Sequence, residues 1–358
     1  MGKGLSTYLN VLRFGAALIV LLSHFAFPRF SDGVWLWVRS LNLGSDAVVL
    51  FFVLSGFVIA LTAERKDATL SRFAFARATR IYSVAIPTLL LGWMLDQWGV
   101  SLAPEQYYAP YYAPLSLSET LWRGLSFSNE WAGSIVKLGS NIPYWSLSYE
   151  VGYYALFAVA FYLRGPRRIV LLIAGAVLLG MNILLLMPAW LMGVALYHRL
   201  KRADLPQGSR ALMLAVVPVA IYGAALAINL PDVIRATMQP HFPGHMLRFS
   251  DEYMWNAVVG LLVCTHLTGM AGALRDRPLA RLARPAAWLA GGSFSVYLVH
   301  YPLLQFLHAA LPGLGHGALF GLTVLSCLAF AELFERPLDL WRRALISLTL
   351  PRRKPVTG

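Results

Sequence analysis

Residues 9–27 read LNVLRFGAALIVLLSHFAF. The run is long enough to cross a bilayer core as a helix, yet it holds two ionisable residues, Arg13 and His24. At about 100° per residue, their separation makes three turns plus about 20°, so both side chains share one helical face. The rise between them is about 16 Å, roughly half the hydrocarbon thickness. Ionisable groups are costly in lipid, and each marks a functional position by default.

Outward from this stretch the chain stays apolar. Its 358 residues are 58% hydrophobic and 13% charged, and the mean hydropathy of +0.60 excludes an ordinary soluble domain. About ten apolar segments are expected, at 8–27, 46–63, 80–99, 144–163, 168–187, 188–200, 211–230, 253–272, 286–308 and 317–335. The fifth and sixth read as a tight hairpin around Pro188. Alternate connections collect most of the 30 Lys and Arg, with clusters at 65–80, 164–168, 199–210, 275–284 and 336–354. The expected fold is therefore an all-α polytopic membrane bundle of about ten transmembrane helices with both termini cytoplasmic. Residues 1–340 form a single transmembrane domain and 341–358 a basic cytoplasmic tail. The net charge of +13 is then a matter of topology, and nucleic-acid binding is not expected. Cys264 and Cys327 fall within spans and read as buried small residues. The first apolar stretch reads as a retained helix, since it lacks a clear cleavage site.

Two outer connections stand out. Residues 100–143 are rich in aromatics, including Tyr107, Tyr108, Tyr111, Tyr112, Trp122, Phe127 and Trp131. They read either as an interfacial belt or as a platform for a sugar-like ring. Residues 231–252 hold His241 and His245, but an intervening Phe-Pro-Gly and the lack of a third ligand argue against a metal site.

Candidate chemistry falls at two levels. Low in the bundle lie Arg13 and the pair Arg77 and Arg80, whose guanidinium forks suit phosphate oxygens. Ordinary positive-inside charge explains Arg77 and Arg80 equally well. High in the bundle lies His24, a candidate general base toward a hydroxyl. Asp46 opens the second span near the depth of His24; it could orient that imidazole or simply favour a helix N-terminus. Ser55, Gly56 and Phe57 read as helix packing. Glu150, in NIPYWSLSYEVGYY, sits in the membrane behind Pro143 and Trp145, with His24 and the arginines as candidate partners. Tyr297 and His300, in SFSVYLVHYPLL, either complete the outer polar cluster or pack with satisfied hydrogen bonds.

These motifs, in this order, resemble the acyltransferase-3 family of bacterial membrane O-acyltransferases over nearly the whole chain. The Arg-x10-His pattern falls on Arg13 and His24, and the Arg-x-x-Arg element on Arg77 and Arg80. FFVLSGFVIA resembles the family's second helix, and PYWSLSYEVGYYALF carries the family glutamate at Glu150; SFSVYLVHYPLL resembles the penultimate helix and FERP near Glu335 the end of the last. The resemblance implies transfer of an acyl group, most often acetyl, from cytoplasmic acyl-CoA to a hydroxyl of an extracytoplasmic glycan or lipid-linked saccharide, without a metal. It places the protein in the bacterial inner membrane, where a polysaccharide biosynthesis complex is a candidate partner. Under it, Arg13, Arg77 and Arg80 hold the CoA end, and His24, Glu150 and Asp46 are catalytic. Trp145, Tyr297 and His300 contact substrate. His24 acts either as base, with Glu150 orienting it, or as an acyl carrier.

Two other classes compete. A transporter or flippase of an envelope glycan also carries intramembrane charges, but is expected to show broken helices near midspan in related halves. A non-catalytic assembly partner would tolerate loss of His24.

Overall fold

The computed structural model describes residues 2–202, 204–238 and 247–349. His241 and His245 lie outside them. Ten helices of fifteen or more residues form the frame among the described residues. They are α1 (Lys3–Phe25), α2 (Leu43–Arg65), α3 (Leu70–Leu102), α4 (Trp145–Tyr162) and α5 (Gly165–Leu179). The second half holds α6 (Met181–Arg202), α7 (Gly208–Ala227), α8 (Tyr253–Ala273), α9 (Ser293–Ala310) and α10 (His316–Phe334). A further helix, α11 (Leu338–Thr349), follows the last of them.

Among the described residues, seven segments are long and apolar enough to cross a membrane: α1, α2, α3, α6, α7, α8 and the run His316–Ala344 that begins with α10. The remaining expected spans, α4, α5 and α9, are shorter, at 18, 15 and 18 residues. The protein is thus an all-α polytopic membrane protein. Large apolar side chains such as Ile169, Val177, Leu212 and Leu325 face outward, where lipid is their solvent.

Two boundaries differ from the sequence expectation. The hairpin between α5 and α6 turns at Gly180, not Pro188. Gly180 has φ +86°, a conformation glycine adopts without strain, while Pro188 sits inside α6. Proline is tolerated in a span because neighbouring helices satisfy the freed carbonyl. The ninth expected span, 286–308, is also broken. An amphipathic helix, Ala280–Ala290, ends at Gly291–Gly292, and α9 begins afresh at Ser293.

The core is built around α2 and α9. Helix α2 packs on α1, α6 and α8, while α9 packs on α1, α3 and α10. The approach of α2 to α6 is set by reciprocal glycines. A Cβ on Gly56 would lie 2.0 Å from the Trp190 carbonyl oxygen, and one on Gly193 would lie 2.0 Å from that of Val53. Backbones this close need small residues, which supply van der Waals contact where no hydrophobic force acts between helices. Trp190, Tyr149, Tyr153 and Phe52 fill the space beside this seam.

Gly193→Leu is therefore expected to force α2 and α6 apart and to lower the thermal unfolding temperature in detergent. Gly223→Leu in α7, where a Cβ meets nothing within 4 Å, is expected to leave it unchanged. Equal effects from the two substitutions would refute the seam.

Candidate active site

Helices α1, α2, α3, α4, α9 and α11, with Ala280–Ala290, enclose a cavity of about 360 Å³. Arg13 enters it from α1, Arg77 and Arg80 from α3, Ser55 from α2 and Glu150 from α4. The structure thus gathers the three arginines expected at the lower level into one chamber.

Their partners differ. Arg80 Nη2 lies 2.9 Å from Glu335 Oε1, whose side chain is fully buried. The other oxygen of Glu335 accepts the backbone N–H of Ser295 at 2.8 Å. One carboxylate therefore ties α3 to the first turn of α9, next to the Gly291–Gly292 break, where orphan amides need an acceptor. Arg77 lies 3.4 Å from Asp67, and its Nε is buried without a hydrogen bond. Arg13 makes no hydrogen bond or ion pair with any described residue. A guanidinium in the membrane costs about 2.5–3.5 kcal/mol even on insertion scales, so its placement in a polar chamber rather than against lipid is what makes it tolerable.

Glu150 does not orient His24. Its Oε1 accepts from Ser55 Oγ at 2.6 Å and from Tyr154 hydroxyl at 2.5 Å, within the arginine chamber. Glu150 lies one turn further along α4 than Ser146, which brings it level with Ser55 on α2 rather than with the outer end of α1. Asp46 is also engaged elsewhere. Trp255 Nε1 donates to its Oδ1 at 2.9 Å and Tyr222 hydroxyl to its Oδ2 at 2.7 Å. Its helical position turns it toward α7 and α8, so it joins α2 to those helices instead of reaching His24. Trp145 stacks on Phe249, with centroids 4.1 Å apart, and does not line the chamber.

The partner of His24 is His300. His24 Nδ1 lies 2.8 Å from His300 Nε2, and His300 Nδ1 lies 2.9 Å from the Val296 carbonyl oxygen. A carbonyl only accepts, so Nδ1 of a neutral His300 carries the proton and its Nε2 the lone pair. That nitrogen must then accept from His24 Nδ1–H. The relay fixes the tautomer of neutral His24 and leaves its Nε2 unprotonated. A histidine oriented through its other nitrogen is the arrangement a general base requires.

Tyr297 joins the two levels. It lines the chamber, its hydroxyl donates to Ser146 Oγ at 2.7 Å, and its ring centroid is 6.5 Å from that of His300. Outward of the histidines, Phe27 stacks on His24 at 6.3 Å, and Tyr111 meets Phe27 edge-on at 5.2 Å. The aromatic connection 100–143 therefore reaches the base through Tyr111. Elsewhere it is anchored by Glu130, whose carboxylate accepts from Arg248 at 2.5 Å while burial raises its pKa. Among the described residues, no three His, Cys, Asp or Glu side chains converge as metal ligands.

An acyltransferase domain family matches residues 6–332. The chain belongs to this acyltransferase-3 family. It is a multi-pass protein of the bacterial inner membrane. It is 32% identical over 157 residues to the acyltransferase MdmB of Streptomyces mycarofaciens, covering 42% of this chain and 37% of that protein. It is 26% identical over 195 residues to an O-acetyl transferase of Shigella phage Sf6, covering 52% of this chain and 58% of that one. The alignments thus span well under two thirds of either relative. No solved structure matches the chain.

Sequence reasoning offered Asp46 and Glu150 to orient His24 and His300 only as a member of an outer polar cluster; the contact is with His300, which a distant helix brings in without a local signal. It also missed Ser55 and Tyr154 as the donors to Glu150. Tyr154 is four residues from Glu150, one helical turn, and that spacing could have shown it.

Arg80→Ala strands the buried Glu335 carboxylate and is expected to cost about 3–5 kcal/mol. The double variant Arg80→Leu/Glu335→Leu is expected to recover much of that loss. Thermal unfolding of the purified variants reads both, and a double variant no more stable than Arg80→Ala would show that the pair is not coupled.

Proposed function

We propose that this protein is a membrane O-acyltransferase that moves an acyl group, acetyl first among the candidates, from cytoplasmic acyl-CoA to an extracytoplasmic hydroxyl. The acceptor is a glycan or lipid-linked saccharide, and the setting is envelope polysaccharide modification. Ten spans with both termini cytoplasmic set the arginine chamber toward the donor and the histidine pair toward the acceptor. One observation carries this reading: a chamber holding an unpaired intramembrane arginine ends at Tyr297, one turn below the residue that orients His24. The printed names of the two relatives, an acyltransferase and an O-acetyl transferase, support the chemistry.

The geometry supports the following roles. Arg13, Arg77 and Arg80 attract the donor's phosphates, with Arg80 held in place by Glu335. Glu150 holds Ser55 and Tyr154 and limits the positive charge of the chamber. The pantetheine arm runs past Tyr297 toward the histidines. His24 Nε2 takes the proton of the acceptor hydroxyl as its oxygen attacks the thioester carbonyl. The C–S bond breaks, the CoA thiolate leaves, and the proton on His24 returns to it. His300 Nε2 accepts from the imidazolium formed on the way and so stabilises it.

The transporter alternative shares one feature, the broken helix at Gly291–Gly292. The break is answered internally, since Glu335 takes the amide of Ser295. Family membership weighs against this alternative.

In proteoliposomes loaded with labelled acetyl-CoA, His24→Ala is expected to lower acyl transfer about 10²–10⁴-fold. His300→Ala is expected to lower kcat about 10–100-fold with KM for the donor little changed, whereas Arg13→Ala raises that KM. Mass spectrometry of envelope glycans with and without the gene, read for a lost ester, identifies the acceptor. Normal esterification by His24→Ala protein would remove the proposed base.

A further inference from the structure

Helix α11 begins beyond residue 332, where the family match stops, and the sequence alone places most of it in a basic tail. In the structure it returns to the bundle. Arg342 Nε donates to Thr79 Oγ1 at 3.0 Å and its Nη2 to the Ala76 carbonyl at 3.2 Å. Both acceptors lie on α3 in the turns that carry Arg77 and Arg80, and Arg342 lines the arginine chamber with them. Leu340, Trp341 and Ile346 on the same helix are exposed, as expected of an amphipathic helix lying in the bilayer surface.

The charges of the chamber are unevenly answered. Arg80 is matched by a buried carboxylate at 2.9 Å and Arg77 by Asp67 at 3.4 Å. Arg13 makes no direct ion pair among the described residues, and Glu335 and Glu150 act on it only from a distance. Arg342 has only Asp339 at 3.6 Å, one turn away on its own helix and 89% exposed, a contact that solvent screens. Two guanidiniums therefore lack a buried carboxylate in direct contact. One sits deep, on α1, and the other at the end of the chamber where α11 crosses α3.

Resting on the acyl-CoA reading above, we propose that Arg342 recognises the 3′-phosphate of the donor. A CoA ester carries anions at two separated places, the pyrophosphate beside the pantetheine arm and the 3′-phosphate on the far ribose. The deep cation suits the first, because the pantetheine must run on from there toward Tyr297. The cation at the mouth suits the second. An arginine already held by two hydrogen bonds from Nε and Nη2 needs little further ordering to turn its Nη1, which faces only the exposed Asp339, to a phosphate. Helix α11 is then a specificity element, selecting CoA esters over carriers that lack this group.

The test compares binding of acetyl-CoA and acetyl-dephospho-CoA, which lacks only the 3′-phosphate, to the purified full chain by calorimetry. Wild-type protein is expected to prefer acetyl-CoA by about tenfold or more. Arg342→Ala is expected to lose that preference through weaker acetyl-CoA binding alone, and Arg342→Lys to keep part of it. The wild-type comparison stands even if a variant misfolds. Equal binding of the two ligands by wild-type protein, or an Arg342→Ala loss equal for both, overturns the assignment of Arg342 and leaves the donor reading intact. Failure of wild-type protein to bind either ligand overturns the donor reading and this assignment with it.

Discussion

A guanidinium held within a bilayer must be answered by charge, by hydrogen bonds or by a polar space, and much of this structure follows from that constraint. Arg13 sits on the first helix with no direct ion pair among the described residues, and Glu335 and Glu150 act on it from a distance. Arg80 takes Glu335, and Glu335 in turn takes the Ser295 amide in the first turn of α9. That pair explains why the chain can break at Gly291–Gly292 inside the bundle. The break exposes N–H groups, and a fully buried carboxylate carried in on α10 receives one of them. Arginine, carboxylate and broken helix thus form one unit, and the chamber is the space left beside it.

Above the chamber the organising element is a pair of histidine rings. A carboxylate beside His24 would have brought another charge into the apolar interior. A second histidine supplies the same directional acceptor without one, and the Val296 carbonyl fixes its tautomer. The direction of the relay is set by a backbone oxygen, the one group in the chain of contacts that cannot donate.

Much of this was legible in the sequence, and the reasons for the rest are specific. Arg13 and His24 announced themselves because apolar context makes each a costly exception, and helical geometry placed them on one face. Arg77, Arg80 and Glu150 line one chamber; of the two partners weighed for Glu150, the arginines share that chamber and His24 does not. Which side chain a buried acid meets depends on helix rotation, and a uniformly apolar span records rotation poorly. Asp46 shows the same limit: its depth was readable, but its direction toward Tyr222 and Trp255 was not. The hairpin was misplaced because Pro188 looked like a break in sequence, whereas Gly180, with its positive φ, makes the turn. Helix α11 was read as a tail because basic residues after the last span satisfy the charge rule without any contact.

Tyr297 and Ser146 are both buried where the chamber ends, joined by a 2.7 Å hydrogen bond. A bacterial inner membrane stores energy as an ion gradient, so a protein with groups reaching toward both faces risks a short circuit. Here a cation entering the chamber meets four arginines, and a hydrated ion meets the closed tyrosine–serine pair. Under the proposed reading, only a slender, uncharged chain would have to pass this pair, and the bundle would stay an insulator while a carbon chain crosses it.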